Sequence, residues 1–253
     1  MRGTLSSPAP RGHPGPATAA DTDPTALVTL LMLADGRFPS GGHAHSGGLE
    51  AAAALYGVKD VTTLTDFLRG RLATTGLVSA AFAAAACATL ADTNHPPHPA
   101  LVRLDQELGA RTPSPVLRAV SRRLGRQLLR VSRTVWPHPH LNEQEALPAG
   151  GPYQPIALGM TAMVAGLRPH AAALATAHEA VLGPATAAVR LLGLDPFAVH
   201  AAVTALAPQI AEVADRATRT ATAPPEDLPS MAGPPQEISA ECHATWEVRL
   251  FAS

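Results

Sequence analysis

The chain has 253 residues, with 19 basic and 20 acidic side chains and a formal charge of −1. That length suits one large domain or two small ones, and 51 alanines against only nine aromatics favour helix over strand. Near-zero charge and scarce aromatics disfavour a polyanion-binding domain or a base-stacking platform. Two cysteines, Cys87 and Cys242, cannot build a disulfide framework or a cysteine-rich zinc site. No apolar block follows Arg2 and Arg11, so no secretory signal is expected. The most apolar stretch, 77–91, is built largely of alanine and is shorter than the roughly 20 residues of a membrane span. The expectation is a soluble cytoplasmic protein with no membrane and no nucleic-acid partner.

Residues 1–22 mix Pro, Gly, Ala, Ser and Thr with almost no large apolar groups, and read as a disordered tail. Order should begin at Asp23-Pro24, a cap followed by a first-turn proline, and the run 26–34 should be a strongly buried helix. A glycine-rich loop then reaches Gly48. A short helix over Leu49–Tyr56 should close on Gly57, and Thr63 to Asp66 resembles a capping box starting the next helix, bent near Gly76. After the alanine-rich segment to Ala91 and a proline-rich loop, Pro99 and Gly109 bracket a helix carrying Leu101, Leu104 and Leu108. Ser114-Pro115 opens the clearest helix, where Leu117, Val120, Leu124, Leu128, Val131 and Val135 recur at steps of three and four. Further helices are expected from Ile156, from Pro169 with a bend at Gly183-Pro184, and from Asp195-Pro196 to about Thr220. The predicted architecture is all-α, a compact domain of about 8–10 helices over 23–220. A proline-rich linker over 221–240 and a short docking tail over 241–253 follow it.

The loop Phe38–Glu50, FPSGGHAHSGGLE, draws attention first. It lacks the lysine and preceding strand of a phosphate-binding loop. Ser46 lacks the strand–turn–helix setting of a nucleophile, and no Asp is evidently paired with a neighbouring histidine. His43 and His45 offer two metal ligands where a stable site usually needs three or four. A tight turn that requires glycine and a contact surface for a partner both remain open. The pairs His95–His98 and His138–His140 lie in proline-rich loops, where two readings are open, weak holding of nickel or zinc and, more commonly, simple solvation.

Between Leu108 and Asn142 there are seven arginines and no acid. Arg118, Arg122, Arg126 and Arg130 recur at steps of four and form one row along a helix. Like charges so placed repel by roughly 0.2–0.5 kcal/mol per pair, so the row calls for compensation. Three sources are open: acids elsewhere in the chain such as Glu50, Glu143, Glu145 or Asp215, an acidic protein partner, or nucleic acid as the weakest of the three. No carboxylate pair, Cys–His pair or HExxH motif marks an enzyme.

The order of these segments resembles the urease accessory protein F family. Residues 30–50, LLMLADGRFPSGGHAHSGGLE, are similar to that family's opening helix, its Pro-x-Gly-Gly loop and its His-Ser-x-Gly-Leu-Glu segment. SRRLGRQLLR at 121–130, the Pro155–Gly159 stretch, AAVR at 187–190 and the ending RLFAS are similar to later family segments in the same order. The chain departs at His43 and Gly47, where larger groups are usual, and at 192–195, where LGLD stands in place of a Pro-Leu-Gly-Gln stretch. The resemblance implies an all-α, often dimeric, non-catalytic protein with no cofactor of its own. It implies assembly with urease accessory proteins D (also called H) and G, the latter a GTPase, and with apo-urease, for GTP-dependent nickel delivery. By position under that resemblance, Glu50, Arg122, Arg126 and Arg190 are candidates for the partner surface, and His45 for a partner contact or for lining a route for the ion. In the tail, the apolar surface of Trp246, Leu250 and Phe251 leaves two readings open, docking on a partner or packing back on the chain's own domain. A histidine-based nickel carrier is the competing expectation.

Overall fold

The computed structural model describes residues 23–142 and 150–252. The expected tail at 1–22 lies outside them, as do Glu143 and Glu145 of the loop after the arginine helix. Among the described residues the chain is all-α, without a strand. Helix α4 (Leu77–Ala91) is the hub, and α8 (Gln154–Val164), α9 (Pro169–Leu192) and α11 (Ala207–Arg219) pack around it. Its alanines make this possible: Ala80, Ala81, Ala83, Ala84 and Ala86 are fully buried on all sides of the helix. Such a helix is apolar all round and presents no polar face to solvent. Small residues let the axes approach closely. A Cβ on Gly159 of α8 would fall 2.2 Å from the Ala83 carbonyl oxygen.

The hub divides the core into two packed groups. On one side α5 (Pro97–Ala110), α6 (Pro115–Val135) and α8 enclose Phe82, Leu101, Leu104, Leu128 and Ile156. On the other, α3 (Val61–Arg71), α9 and α11 enclose Leu64, Leu68, Val181 and Ile210. Each fully buried leucine contributes about 1.5–3 kcal/mol relative to exposure. Val61–Ala91 is, by length and composition, long and apolar enough to cross a membrane. Its most apolar window is 67% buried by these neighbours, so that surface is used in intramolecular packing.

Several elements differ from the sequence expectation. Helix α1 (Pro24–Ala34) exposes Leu27, Val28, Leu31 and Met32 and fully buries Leu33 alone, so it lies along the surface and is not a core helix. The cap of α3 is Asp60, not Thr63: Asp60 Oδ1 accepts from Thr63 N at 2.8 Å, and Thr63 Oγ1 accepts from Asp60 N at 3.1 Å. Gly76 does not break the chain; a single π-helical turn at Leu72–Gly76 joins α3 to α4. Pro184 sits inside an uninterrupted α9. The segment after Asp195 bends by 44° at Leu206, because Pro208 starts a second helix, giving α10 (Pro196–Ala205) and α11.

The largest difference is beyond residue 220. Arg111 Nη2 donates to the carbonyls of Pro225, Glu226 and Leu228, which pins the segment expected to be an extended linker. Pro234 and Pro235 then occupy the first helical turn, where fixed φ is an advantage, and start α12 (Pro234–Ala244). Glu237 accepts from Ser114 N at 2.7 Å and Glu241 accepts from Val116 N at 3.0 Å, so α12 supplies anions to the N-terminus of α6.

Candidate partner surface

The glycine-rich loop leads from α1 into α2 (Leu49–Tyr56) through backbone that only glycine adopts easily: Gly41, Gly47 and Gly48 have φ of 87°, 62° and 87°. At position 47 the space demands glycine as well, since a Cβ would meet Pro184 Cγ at 2.9 Å. The chain's departure at Gly47 is therefore matched by the proline it carries inside α9. Ser46 is fully buried, and its hydroxyl accepts from Glu50 N at 3.2 Å. The serine closes the turn and takes up one free N–H of the first turn of α2, whose N-cap is Gly48.

Glu50 organises the surface. It is 8% exposed, in the first turn of α2. Its Oε1 accepts from Leu250 N at 2.8 Å, and its Oε2 accepts from Phe251 N at 3.0 Å and contacts His243 Nε2 at 3.0 Å. Burial pushes the Glu50 pKa upward, but these hydrogen bonds together hold it below the ordinary value. Ala252 N donates to Ala44 O at 2.9 Å, and the Arg190 guanidinium lies 5.3 Å from the Phe251 ring centroid. Loop, helix end and C-terminus thus meet around one shallow recess, bounded by His43, Ala44, Arg190, Arg249, Leu250 and Phe251.

Of the residues singled out in the sequence, Glu50, Arg190, Leu250 and Phe251 are brought together here, with His43 exposed at the rim. Phe251 and Glu50 are buried within the chain, while Leu250 is 71% exposed beside them. Trp246 is half-buried, its ring 4.8 Å from that of His243. His45 lies on the opposite side of the loop. Burial first, then the charges of Arg123 and His43, depress its pKa to about 4, which keeps it neutral near pH 7.

Arg122 and Arg126 belong to a different place. Arg122 pairs with Asp105 at 2.8 Å, donates to the Gly151 carbonyl at 2.5 Å, and stacks over the Tyr153 ring at 3.8 Å. Asp105 is 1% exposed and also accepts from Tyr153 N at 3.0 Å. The compensation for the arginine row comes from Asp105, from Glu237 and Glu241 near Arg118 and from backbone carbonyls, whereas Glu50 contacts the C-terminus and Asp215 lies 3.0 Å from His170. Arg126 bonds the Gly150 carbonyl yet remains exposed, as does Arg130. Sequence reasoning did not single out Asp105, Arg71, Glu179 or His243. Glu179 had a signal available, being the one acid in the run Ala171–Ala188 of α9.

The sequence model of the UreF family matches residues 58–207, more than half of the chain. The chain belongs to the UreF family. It is 39% identical over 229 residues to the urease accessory protein UreF of Mycolicibacterium vanbaalenii (strain PYR-1), covering 90% of this chain and all of that protein. Against UreF of Mycobacterium sp. (strain JLS) the identity is 40% over the same shares. UreF of Mycobacterium tuberculosis (strain H37Rv) is 39% identical over 204 residues, 81% of this chain and 89% of that protein. The match reaches well beyond the loop and the chain ending, so the family assignment rests on the whole helical domain.

Proposed function

We propose that this UreF-family chain is a non-catalytic scaffold in urease maturation. It assembles with the D- (or H-) type and G-type accessory proteins and with apo-urease, so that the complex inserts nickel in a step driven by GTP. The observation that carries this reading is the convergence of loop 39–48, Arg190 and residues 249–252 on one face. These are the segments through which the sequence resembles the family, and they come from three distant parts of the chain. Exposed Leu250, Arg190 and His43 give that face an apolar centre with cationic and polar edges, the composition of a protein-binding patch. Nickel is cargo of the complex, and this chain acts as a homodimeric cytoplasmic component with no resident cofactor. A storage role would gather ligands, and among the described residues no three His, Cys, Asp or Glu side chains form a group that could hold a metal ion.

Reconstitution tests this directly. Purified apo-urease, nickel, GTP and the two accessory proteins should yield urease activity only when this chain is added, and Arg190→Ala with Leu250→Asp should reduce the yield. Activation independent of this chain, or retained with a non-hydrolysable GTP analogue, would refute the scaffold. Equilibrium dialysis of the isolated chain separates the carrier reading, which requires tight nickel binding without partners.

A further inference from the structure

A second cavity, of about 220 Å³, lies on the inner side of the glycine loop, between α3, α6, α9 and α12. Four charged side chains line it, Arg71, Arg111, Glu179 and Glu237. Arg111 is held by Glu107 and the carbonyls of 225–228, and Glu237 by Ser114 N, which leaves Arg71 and Glu179 as the opposite charges of the loop side. Arg71 ends α3, and its Nε and Nη1 donate to the Ala180 and Gly47 carbonyls at 3.0 and 2.9 Å, which fixes the guanidinium plane. Its Nη2 has no hydrogen-bond partner among the described residues. Glu179 projects from α9, and its Oε2 accepts from Gln154 Nε2 at 2.8 Å, while Oε1 has no partner among them. The two side chains form no direct ion pair. Burial lowers the Arg71 pKa to about 10 and raises that of Glu179, their mutual attraction only partly opposing it in each case. Both side chains are half-buried, open to the cavity and without contact to a counter-charge, so each is under-compensated.

The third wall is apolar. Leu117, Val120 and Leu124 belong to the regular stripe of α6, but where Leu128 is buried in the core these three stay half-exposed and face the cavity. A single water needs about 10–15 Å³ of such space, so the volume accommodates a molecule of several heavy atoms. We propose that this cavity binds a small zwitterion of the amino-acid class, its carboxylate on Arg71 Nη2, its ammonium on Glu179 Oε1 and a short apolar side chain against Leu117, Val120 and Leu124. Such a ligand supplies both missing counter-charges at once, which neither a simple anion nor a simple cation does. Arginine suits the carboxylate because its planar fork donates in the plane already set by the two backbone carbonyls.

Isothermal titration calorimetry of the full chain with L-alanine and L-valine, against acetate and methylammonium at equal ionic strength, tests the site. Saturable binding of an amino acid, about tenfold or more tighter than either half-ligand, is expected. Two variants report on the contact without removing Arg71. Glu179→Gln keeps the acceptor for Gln154. Gly42→Ala, where φ is not left-handed, sets a methyl 3.4 Å from Glu179 Oε1. Each should weaken binding by about tenfold while circular dichroism and the melting curve stay unchanged. No saturable heat with either amino acid, acetate binding as tightly as alanine, or undiminished binding by folded Glu179→Gln and Gly42→Ala would overturn the proposal.

Discussion

Replacing Glu50 with alanine removes the acceptor of two backbone N–H groups and the partner of a buried histidine in one step. Hydrogen bonds to a charged group contribute about 1.5–3 kcal/mol each, but the three are not additive, and a released tail can hydrate its own amides. About 3 kcal/mol is a reasonable figure for the loss of closure, equivalent to about a hundredfold change in the opening equilibrium. The loss stays local, because α12 is anchored separately on Ser114 and Val116 of α6. Native-state hydrogen exchange reads this directly. Amides 250–252 should lose about a hundredfold in protection, whereas those of α4 and α8 should keep theirs. Glu50→Gln, which retains one acceptor oxygen, should fall between. Unchanged protection at 250 and 251 in Glu50→Ala would refute the latch, and equal loss in α4 would show it to be part of the global core. The pH dependence has a defined sign. A carboxylate depressed below 4.5 stabilises the closed tail above that pH, and the contribution is lost as pH falls through the folded value.

His45, neutral in the folded chain with a pKa of about 4 against 6.5 when unfolded, destabilises the fold as pH drops from 6.5 to about 4. His45→Gln should flatten the denaturant midpoint over that window, and an unaltered curve would contradict it. Gly159→Ala forces a methyl into the Ala83 carbonyl at 2.2 Å and should cost about 3 kcal/mol or more, seen as a lower melting temperature with α4 protection lost. Arg122→Glu should destabilise by about 3–5 kcal/mol because it leaves Asp105 buried and unpaired, while Arg126→Glu with Arg130→Glu should leave the melting temperature within a few degrees. The purified chain alone should hydrolyse neither urea nor GTP in a direct turnover assay; turnover abolished by Ser46→Ala would contradict the scaffold.

The helices were readable where local chemistry decides them. Ser114-Pro115, Asp195-Pro196 and Asp23-Pro24 each pair a side-chain acceptor with a residue already set in φ, and each opens a helix as expected. Where tertiary context decides, the reading failed in a consistent direction. The apolar run of α1 looks like core by composition, yet which of its faces is covered depends on neighbours far away in sequence. Residues 221–240 look like linker because five prolines suggest extension. Two of those prolines fall at the start of a helix, where they assist it, and the carbonyls of 225–228 find the guanidinium of Arg111.

The recess and the cavity explain why the site was only half legible. Glu50 lies 193 positions from His243 and 201 from Phe251, and an acid in the first turn of a helix ordinarily signals nothing more than a favourable interaction with the helix dipole. Its burial is what converts a common surface feature into the anchor of the C-terminus. The arginine row shows the converse. Periodicity placed Arg122 and Arg126 on one helix, four residues apart, and suggested one role for both. A single buried carboxylate, Asp105 on α5, separates them: it draws Arg122 into the fold and leaves Arg126 at the surface. The loop stands between the two regions, with Gly42 and Gly47 lining the cavity on one side and His43 and Ala44 bounding the recess on the other. Glycine supplies the positive φ values on which this loop turns, and so one short segment forms both the wall of the cavity and the edge of the recess.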